Sequence, residues 1–400
     1  MTVTVPAPDS AGPPAPDSKV TSASLDAEDA TRQRYSAAAL VREEALCCPV
    51  DYDRTLLEAI PKEVIERDYG CGDPSRYVRA GETVLDLGSG GGKICFIASQ
   101  IVGEEGRVIG VDMNDEMLGL ARESAPAVAA EIGYANVEFR RGRIQNLALN
   151  VDRFEAWLND HPAKNMQDLL QLEEEKRRLC REDPLIEDNS IDLIVSNCVL
   201  NLVREEEKDL LIEEMYRVLK PGGRIAHSDI VSDEVVPNHL KNDPELWSGC
   251  VSGAFQELDF LRRLEAAGFH AIEIDKWESE SFAVVEGIEF RSVTVLARKG
   301  KHGPCREAGQ AILYKGPWKQ VIDDDGHILE RGVRTAVCAK TFKILSGEPY
   351  AEQTIGIEPA ISIPEIEQTE FDCTRSEPRH PKETKGADYQ LNKPAADSCC

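Results

Sequence analysis

No run of about 18 apolar residues, the length a bilayer-spanning helix requires, occurs in this 400-residue chain. Basic charge is also scarce: 46 lysines and arginines face 72 aspartates and glutamates, for a formal net charge of -26. A field of that sign repels phosphate backbones and anionic headgroups, so no nucleic acid and no membrane surface is expected as a partner. The first 30 residues have neither the basic start nor the apolar segment of a secretory signal. A cytoplasmic, soluble chain is therefore expected, and it is taken as a monomer. No CxxC pair exists to build a zinc ribbon, although the chain has twelve cysteines. In a reducing compartment, thiols on a chain of this size are buried, metal-binding or catalytic.

The chain divides by composition. Residues 1–34 are rich in Pro, Ala, Ser and Asp and are expected to be a disordered leader, with order beginning near Tyr35. From residue 82 onward, short apolar strands alternate with helical spacings: Thr83–Leu87, Arg107–Val111, Val137–Arg140, Ser190–Ser196 and Arg224–Asp229. That alternation predicts an α/β fold with a doubly wound, Rossmann-like parallel sheet over residues 35–230. A charged stretch at 151–187 is expected to be an inserted surface helix. In residues 231–300, the segment PELWSGCVSGAFQELDFLRRLEAAGF has helical spacing and is followed by strands. Residues 301–352 are expected to form a small β-rich unit, with GQAILYKG and AVCAKTFKIL as its strands. Residues 353–400 are expected to form a flexible, cysteine-containing tail.

The most informative local motif is Asp86-Leu87-Gly88-Ser89-Gly90-Gly91-Gly92, between the first predicted strand and a helix. Glycines let a backbone approach a ligand without Cβ interference, and the helix start that follows favours a carboxylate. Asp112 lies 20 residues beyond Gly92, at the end of the second strand, where a carboxylate can accept from both hydroxyls of a ribose. Together with Pro221-Gly222-Gly223, this pattern points to S-adenosylmethionine rather than a dinucleotide. The expected cofactor contacts are Asp86, Gly88, Ser89, Gly90, Asp112, Met113, Ile144 and Asn197.

Three cysteines lie at edges where a ligand would bind. Cys198 follows the fourth strand in SNCVLNL, at the carboxyl end that faces the crevice of a doubly wound sheet. Cys71 sits in the turn YGCGDP before the first strand, and Cys250 in LWSGCVSGA after the fifth. Isolated cysteines are usually small buried hydrophobes, and Cys95, Cys180, Cys305 and Cys338 are read that way. Cys373, Cys399 and Cys400 are read as thiols of the tail, either incidental or able to capture a thiophilic ion. His227 and Asp229, at the end of the fifth strand, could line the pocket; a structural role is favoured.

With YGCGDP, VLDLGSGGGK, GVDMN, SNCVLNL, VLKPGG and LWSGCVSGA in place, residues 40–345 resemble the arsenite methyltransferases. The resemblance implies that Cys71, Cys198 and Cys250 bind trivalent arsenic within an α+β region at 231–300. It implies S-adenosylmethionine as methyl donor, arsenite or its thiol adducts as acceptor, and an external thiol, thioredoxin or glutathione, as reductant. It further implies a redox partner for Cys71, whose counterpart here is Cys47 or Cys48. The chain departs from the family pattern in its long insert, in Gln145 and in its terminal Cys399-Cys400 pair. The chemistry is coherent: soft thiolates suit soft trivalent arsenic, whose lone pair can attack a sulfonium methyl without a general base.

Overall fold

The computed structural model describes residues 21–41, 43, 50–300, 303–374 and 377–385. Helix α1 (Thr21–Leu40) and two short helices, α2 (Arg54–Leu57) and α3 (Lys62–Glu66), precede the sheet. The sheet begins with β1 (Thr83–Leu87), α4 (Lys93–Val102), β2 (Arg107–Asp112), α5 (Asp115–Ile132) and β3 (Val137–Arg141). Local chemistry sets these boundaries. Asn114 caps α5 by accepting from Met117 N at 2.9 Å, Asp115 and Glu116 oppose the positive end of the helix, and Gly133 ends it at φ 91°.

Next come α6 (Val151–Asp160), α7 (Met166–Glu182), β4 (Ile191–Asn197), α8 (Lys208–Val218) and β5 (Leu219–Ser232). Two short helices, α9 (Asn238–Lys241) and α10 (Pro244–Ser248), then lead to β6 (Phe255–Gln256) and α11 (Glu257–Ala266). Three strands complete this part: β7 (Phe269–Trp277), β8 (Ala283–Val285) and β9 (Ile288–Lys299). The strand order is β3-β2-β1-β4-β5-β9-β7; the first five strands run parallel, and β9 and β7 are antiparallel additions. This is the doubly wound α/β sheet read from the sequence. The order reverses between β1 and β4, so the ligand crevice opens at their carboxyl ends.

Side chains alternate across the sheet, as a two-residue period requires. Val84, Leu193 and Val195 join a core with Phe96 and Leu118 from α4 and α5. Leu85, Leu87 and Ile194 join the opposite core, with Met215 of α8 and Phe260 of α11. Burial on both faces explains why these strands read as continuous apolar runs.

The C-terminal unit contains β10 (Arg306–Glu307), β11 (Ala311–Tyr314), β12 (Gln320–Ile322), β13 (Ile328–Glu330) and β14 (Arg334–Ala336). It continues with α12 (Ala339–Leu345), β15 (Thr354–Ile357), β16 (Thr369–Glu370) and α13 (Pro381–Lys385). Strands β14-β11-β15 form an antiparallel sheet over Ile312, Tyr314, Phe342 and Leu345. Glu348 ties the unit to the main sheet by ion pairs with Arg79 (2.6 Å) and Arg298 (3.5 Å).

Several expectations are corrected. Residues 21–34, placed in a disordered leader, belong to α1, whose sequence carries no clear apolar stripe; residues 1–20 lie outside the described set. The tail expected at 353–400 instead carries β15, β16 and α13: β15 completes the small sheet and Phe371 is buried. AVCAKTFKIL is not a strand: only its first residue is, and Thr341, Phe342 and Leu345 bury one face of α12. The insert is two helices rather than one. The helical segment expected from Pro244 breaks after Ser248 and resumes at Glu257.

That break depends on a close approach. A Cβ on Gly253 would stand 2.0 Å from the carbonyl oxygen of Asn201. Gly253→Ala should therefore destabilise the fold by roughly 1–3 kcal/mol through overpacking. Gly119, inside α5 with no atom within 4 Å of its missing Cβ, should give the opposite sign: Gly119→Ala should stabilise by about 0.5–1 kcal/mol. Denaturant unfolding of both variants measures this pair.

Candidate active site

The glycine loop leaves β1 with a backbone suited to close ligand approach. Gly88 and Gly90 have φ of 72° and 51°, which side chains other than glycine rarely adopt. Nothing lies within 4 Å of a Cβ placed on Gly90, so the loop opens into space there. On Gly88 such a Cβ would meet Val199 Cγ1 at 2.4 Å, so the loop packs against the residue that follows Cys198. Ser89 Oγ is buried and has no hydrogen-bond partner among the described residues. Asp112 closes the loop: Oδ2 accepts from Gly90 N at 2.9 Å and Oδ1 from Asn114 N at 2.8 Å. Burial raises the pKa of Asp112. Asp86 lies deeper, accepts from Cys95 Sγ at 3.2 Å, and is pushed up to about 7 by burial. Met113 is exposed beside this loop, and Ile144 packs into the core with Leu147 and Leu185.

Asn197, one of the expected cofactor contacts, is engaged with the turn that carries Cys71. Its Oδ1 accepts from Cys71 N (2.9 Å) and Gly72 N (3.1 Å), and its Nδ2 donates to Gly72 O (2.7 Å). It thereby fixes the turn that carries Cys71, against Gly70, where a Cβ would fall 2.0 Å from Asn197 Nδ2. Tyr52 adds a hydrogen bond to Gly72 O at 3.0 Å.

The three singled-out cysteines meet at the carboxyl ends of β4 and β5. Cys71 and Cys198 are joined by a disulfide, with Cα atoms 6.0 Å apart. Cys250 Sγ donates to Cys198 O at 3.0 Å. All three belong to one apolar cluster with Ile230, Val251 and Phe290, and none is more than 7% exposed. Among the described residues only five non-glycines have positive φ, and two are Cys198 (56°) and Cys250 (61°). Backbone held in that region costs on the order of 1–3 kcal/mol per residue and collects where position matters.

Sequence reasoning undervalued Asp229 and missed α1. The Asp229 carboxylate and the sulfurs of Cys71 and Cys198 lie within 4.8 Å of one another. Asp229 accepts from Ile230 N (2.8 Å), Asn201 Nδ2 (2.9 Å) and Leu200 N (3.1 Å), and burial pushes it up to about 7. His227, buried beside it, is pushed down to about 3 by the same loss of water and is neutral. Helix α1 spans the mouth: Tyr35 OH lies 3.7 Å from Cys250 Sγ, and Arg34 donates to Ser248 Oγ at 3.1 Å. Ser36 donates to Glu116 Oε2 (2.8 Å) at the start of α5. No signal in the sequence marked this helix, because its inward residues are small or polar.

Cys95 is buried, as its reading implied, and Cys180 is half-buried on α7. Cys47, Cys48, Cys399 and Cys400 lie outside the described residues. Gln145 is buried and donates to Glu207 Oε2 at 2.9 Å.

Comparison with known proteins completes the picture. Residues 79–185 and 182–268 match the family model of a methyltransferase domain, and residues 301–389 match a domain of unknown function, DUF8838. An arsenite methyltransferase of Aquipseudomonas alcaligenes is 33% identical over 74% of this chain and 79% of its own. An arsenite methyltransferase of Mus musculus is 28% identical over 78% of this chain and 77% of its own. The crystal structure of an arsenic(III) S-adenosylmethionine methyltransferase from Chlamydomonas reinhardtii superposes with TM-score 0.54 at 28% identity, covering 81% of this chain and all of that one.

The buried carboxylate of Asp86 gives a pH test. Its folded pKa of about 7 exceeds the unfolded value, which is about 3.9. Its contribution is thus fully present below about pH 4 and is lost as pH rises through about 7. Stability of the ligand-free chain should fall relative to Asp86→Asn over that window, by a few kcal/mol on the order of 1.4 per pH unit. Urea unfolding at pH 5 and pH 8 measures it; equal slopes for both proteins would mean Asp86 is ionised throughout.

Proposed function

The chain belongs to the arsenite methyltransferase family, and on that footing we propose that it transfers methyl groups from S-adenosylmethionine to trivalent arsenic held by Cys71, Cys198 and Cys250. The observation that carries this reading is that the three cysteines share one apolar cluster, and that Val199, the residue after Cys198, packs against Gly88 of the glycine loop. The loop fits the methyl donor: open space at Gly90, an unpartnered Ser89 hydroxyl and an Asp112 carboxylate presented at the end of β2. When bound, S-adenosylmethionine supplies an electrophilic methyl on a sulfonium.

The residues divide the work. The three thiols exchange for the hydroxyls of arsenite: three As–S bonds form, three As–O bonds break, and three waters leave with the thiol protons. Arsenic keeps its lone pair, which forms the As–C bond while the C–S electron pair returns to the donor sulfur. No proton leaves the nucleophile, so the neutral His227 need not act as a base. The apolar wall of Ile230, Val251 and Phe290 suits a step in which positive charge disappears. Thiolates position the nucleophile, a contribution of orientation rather than of acid–base chemistry.

Methylation raises arsenic formally to the pentavalent state. Two thiolates that couple as a disulfide return two electrons and restore the trivalent state. The Cys71–Cys198 disulfide supports this, since those two sulfurs reach bonding range. It differs from the Cys47 or Cys48 partnership implied by resemblance. A thioredoxin-type dithiol or glutathione then reduces the pair by thiol–disulfide exchange. That requirement supports a cytoplasmic setting, and the buried cysteine chamber within one chain supports a monomer as the working unit.

Purified protein with labelled S-adenosylmethionine, arsenite and a dithiol should yield methylated arsenic by speciation analysis. Cys198→Ser should lower transfer to inorganic arsenite by at least about 1,000-fold, as loss of a group that orients the nucleophile implies, while leaving donor affinity intact. Unchanged turnover in Cys198→Ser would overturn the thiolate mechanism.

A further inference from the structure

The C-terminal unit gathers three more cysteines that the methyl-transfer reading does not use. Cys305, just before β10, Cys338, at the start of α12, and Cys373, just after β16, have sulfurs all within 4.8 Å of one another. They come from segments distant in sequence and are brought together by the fold. Strands β10 and β16 pair, Arg306 opposite Glu370, and Phe371 N donates to Cys305 O at 3.0 Å, which sets two of the thiols side by side. The third is fixed from below: Cys338 Sγ accepts from Thr341 N at 3.4 Å and lies 3.2 Å from Thr341 Oγ1. Cys338 is fully buried beside Phe371, while Cys305 and Cys373 are half-buried and open the cluster to solvent.

We propose that Cys305, Cys338 and Cys373 form a second seat for inorganic trivalent arsenic, separate from the chamber of Cys71, Cys198 and Cys250. The donor set argues for the ion. Among the described residues no carboxylate or imidazole joins the three sulfurs at that distance. A structural zinc site closes with four ligands, whereas three soft sulfurs and no fourth donor match a pyramidal trivalent centre with a lone pair. Binding is an exchange without redox change: arsenite loses three hydroxyls, gains three As–S bonds and releases three waters that carry the thiol protons.

The count of bonds also sets selectivity. A methylated trivalent arsenical keeps one As–C bond and has only two positions left for sulfur. The seat therefore holds the inorganic substrate by three bonds and the product by two, so it retains substrate and releases product. The identity of the ion rests on the arsenic reading of the main chamber; the thiol seat itself does not.

The test uses the full chain, reduced with a phosphine so that no competing thiol is present. Arsenite retained per chain is counted after gel filtration for the native protein, for Cys305→Ser, for Cys373→Ser and for the triple variant Cys71→Ser/Cys198→Ser/Cys250→Ser. Each single C-terminal variant should lose one equivalent, yet keep native turnover at saturating arsenite and a native melting temperature without arsenic. The triple variant should make no methylated product and still retain an equivalent that disappears when Cys305→Ser is added but persists when Cys399→Ser/Cys400→Ser is added. Methylarsenite should wash out of the seat faster than arsenite. Native arsenite stoichiometry in Cys305→Ser and Cys373→Ser, or zinc that arsenite cannot displace, would overturn the proposal. Failure of the native enzyme to methylate arsenic, with the C-terminal equivalent still present, would strike the main reading instead.

Discussion

Two asparagine side chains hold the turns of Cys71 and Cys250 in place. Irregular backbone cannot be buried unless its amides and carbonyls find partners, and the turns carrying Cys71 and Cys250 are both buried and irregular. Asn197 satisfies Cys71 N, Gly72 N and Gly72 O. Asn201 donates through Nδ2 to Asp229 Oδ1, Ile230 O and Cys250 O. The two flank Cys198 on the crossover after β4. One short segment at the topological switch point of the sheet thus binds both outlying cysteine turns to the crevice. The glycines of those turns follow from the same need. Gly70 and Gly253 each stand where a Cβ would collide at 2.0 Å, with Asn197 Nδ2 and with Asn201 O respectively.

Around that clamp the electrostatics favour neutrality. Asp86 and Asp229 are pushed up to about 7 and His227 down to about 3, in each case because water is excluded. Within a chain of net charge -26, burial thus shifts each of these groups toward its neutral form. Such a setting suits a reaction that consumes a positive charge and demands no proton transfer. Positive φ at Cys198 and Cys250 is the conformational cost of aiming both sulfurs inward from turns. Helix α1 then covers them, through Tyr35 over Cys250 and Ser36 over the first turn of α5.

The C-terminal unit repeats the strategy with different means. Its sulfurs are brought together by a two-stranded ribbon and a helix start rather than by loops sewn to a sheet. Reading Cys338 as a small buried hydrophobe was reasonable on burial alone, and Cys373 looked like part of a loose tail. Neither reading could anticipate the other two sulfurs, because β16 pairs with β10 across more than sixty residues.

The sequence by itself determined the doubly wound sheet, since β1, β2 and β4 are short apolar runs between helical spacings, and the period of side chains is a local property. It also determined the glycine loop after β1, because Gly88 and Gly90 supply the backbone shape and Asp112 stands at a fixed chain distance to close it. The resemblance singled out Cys71, Cys198 and Cys250. Only the tertiary structure decided how those cysteines are held, that Asn197 serves the thiol turn, that Asp229 joins the sulfurs, and that α1, β15, β16 and α13 form. Those outcomes depend on contacts between segments far apart in the chain, where small or polar residues make the decisive fit and no local periodicity announces it.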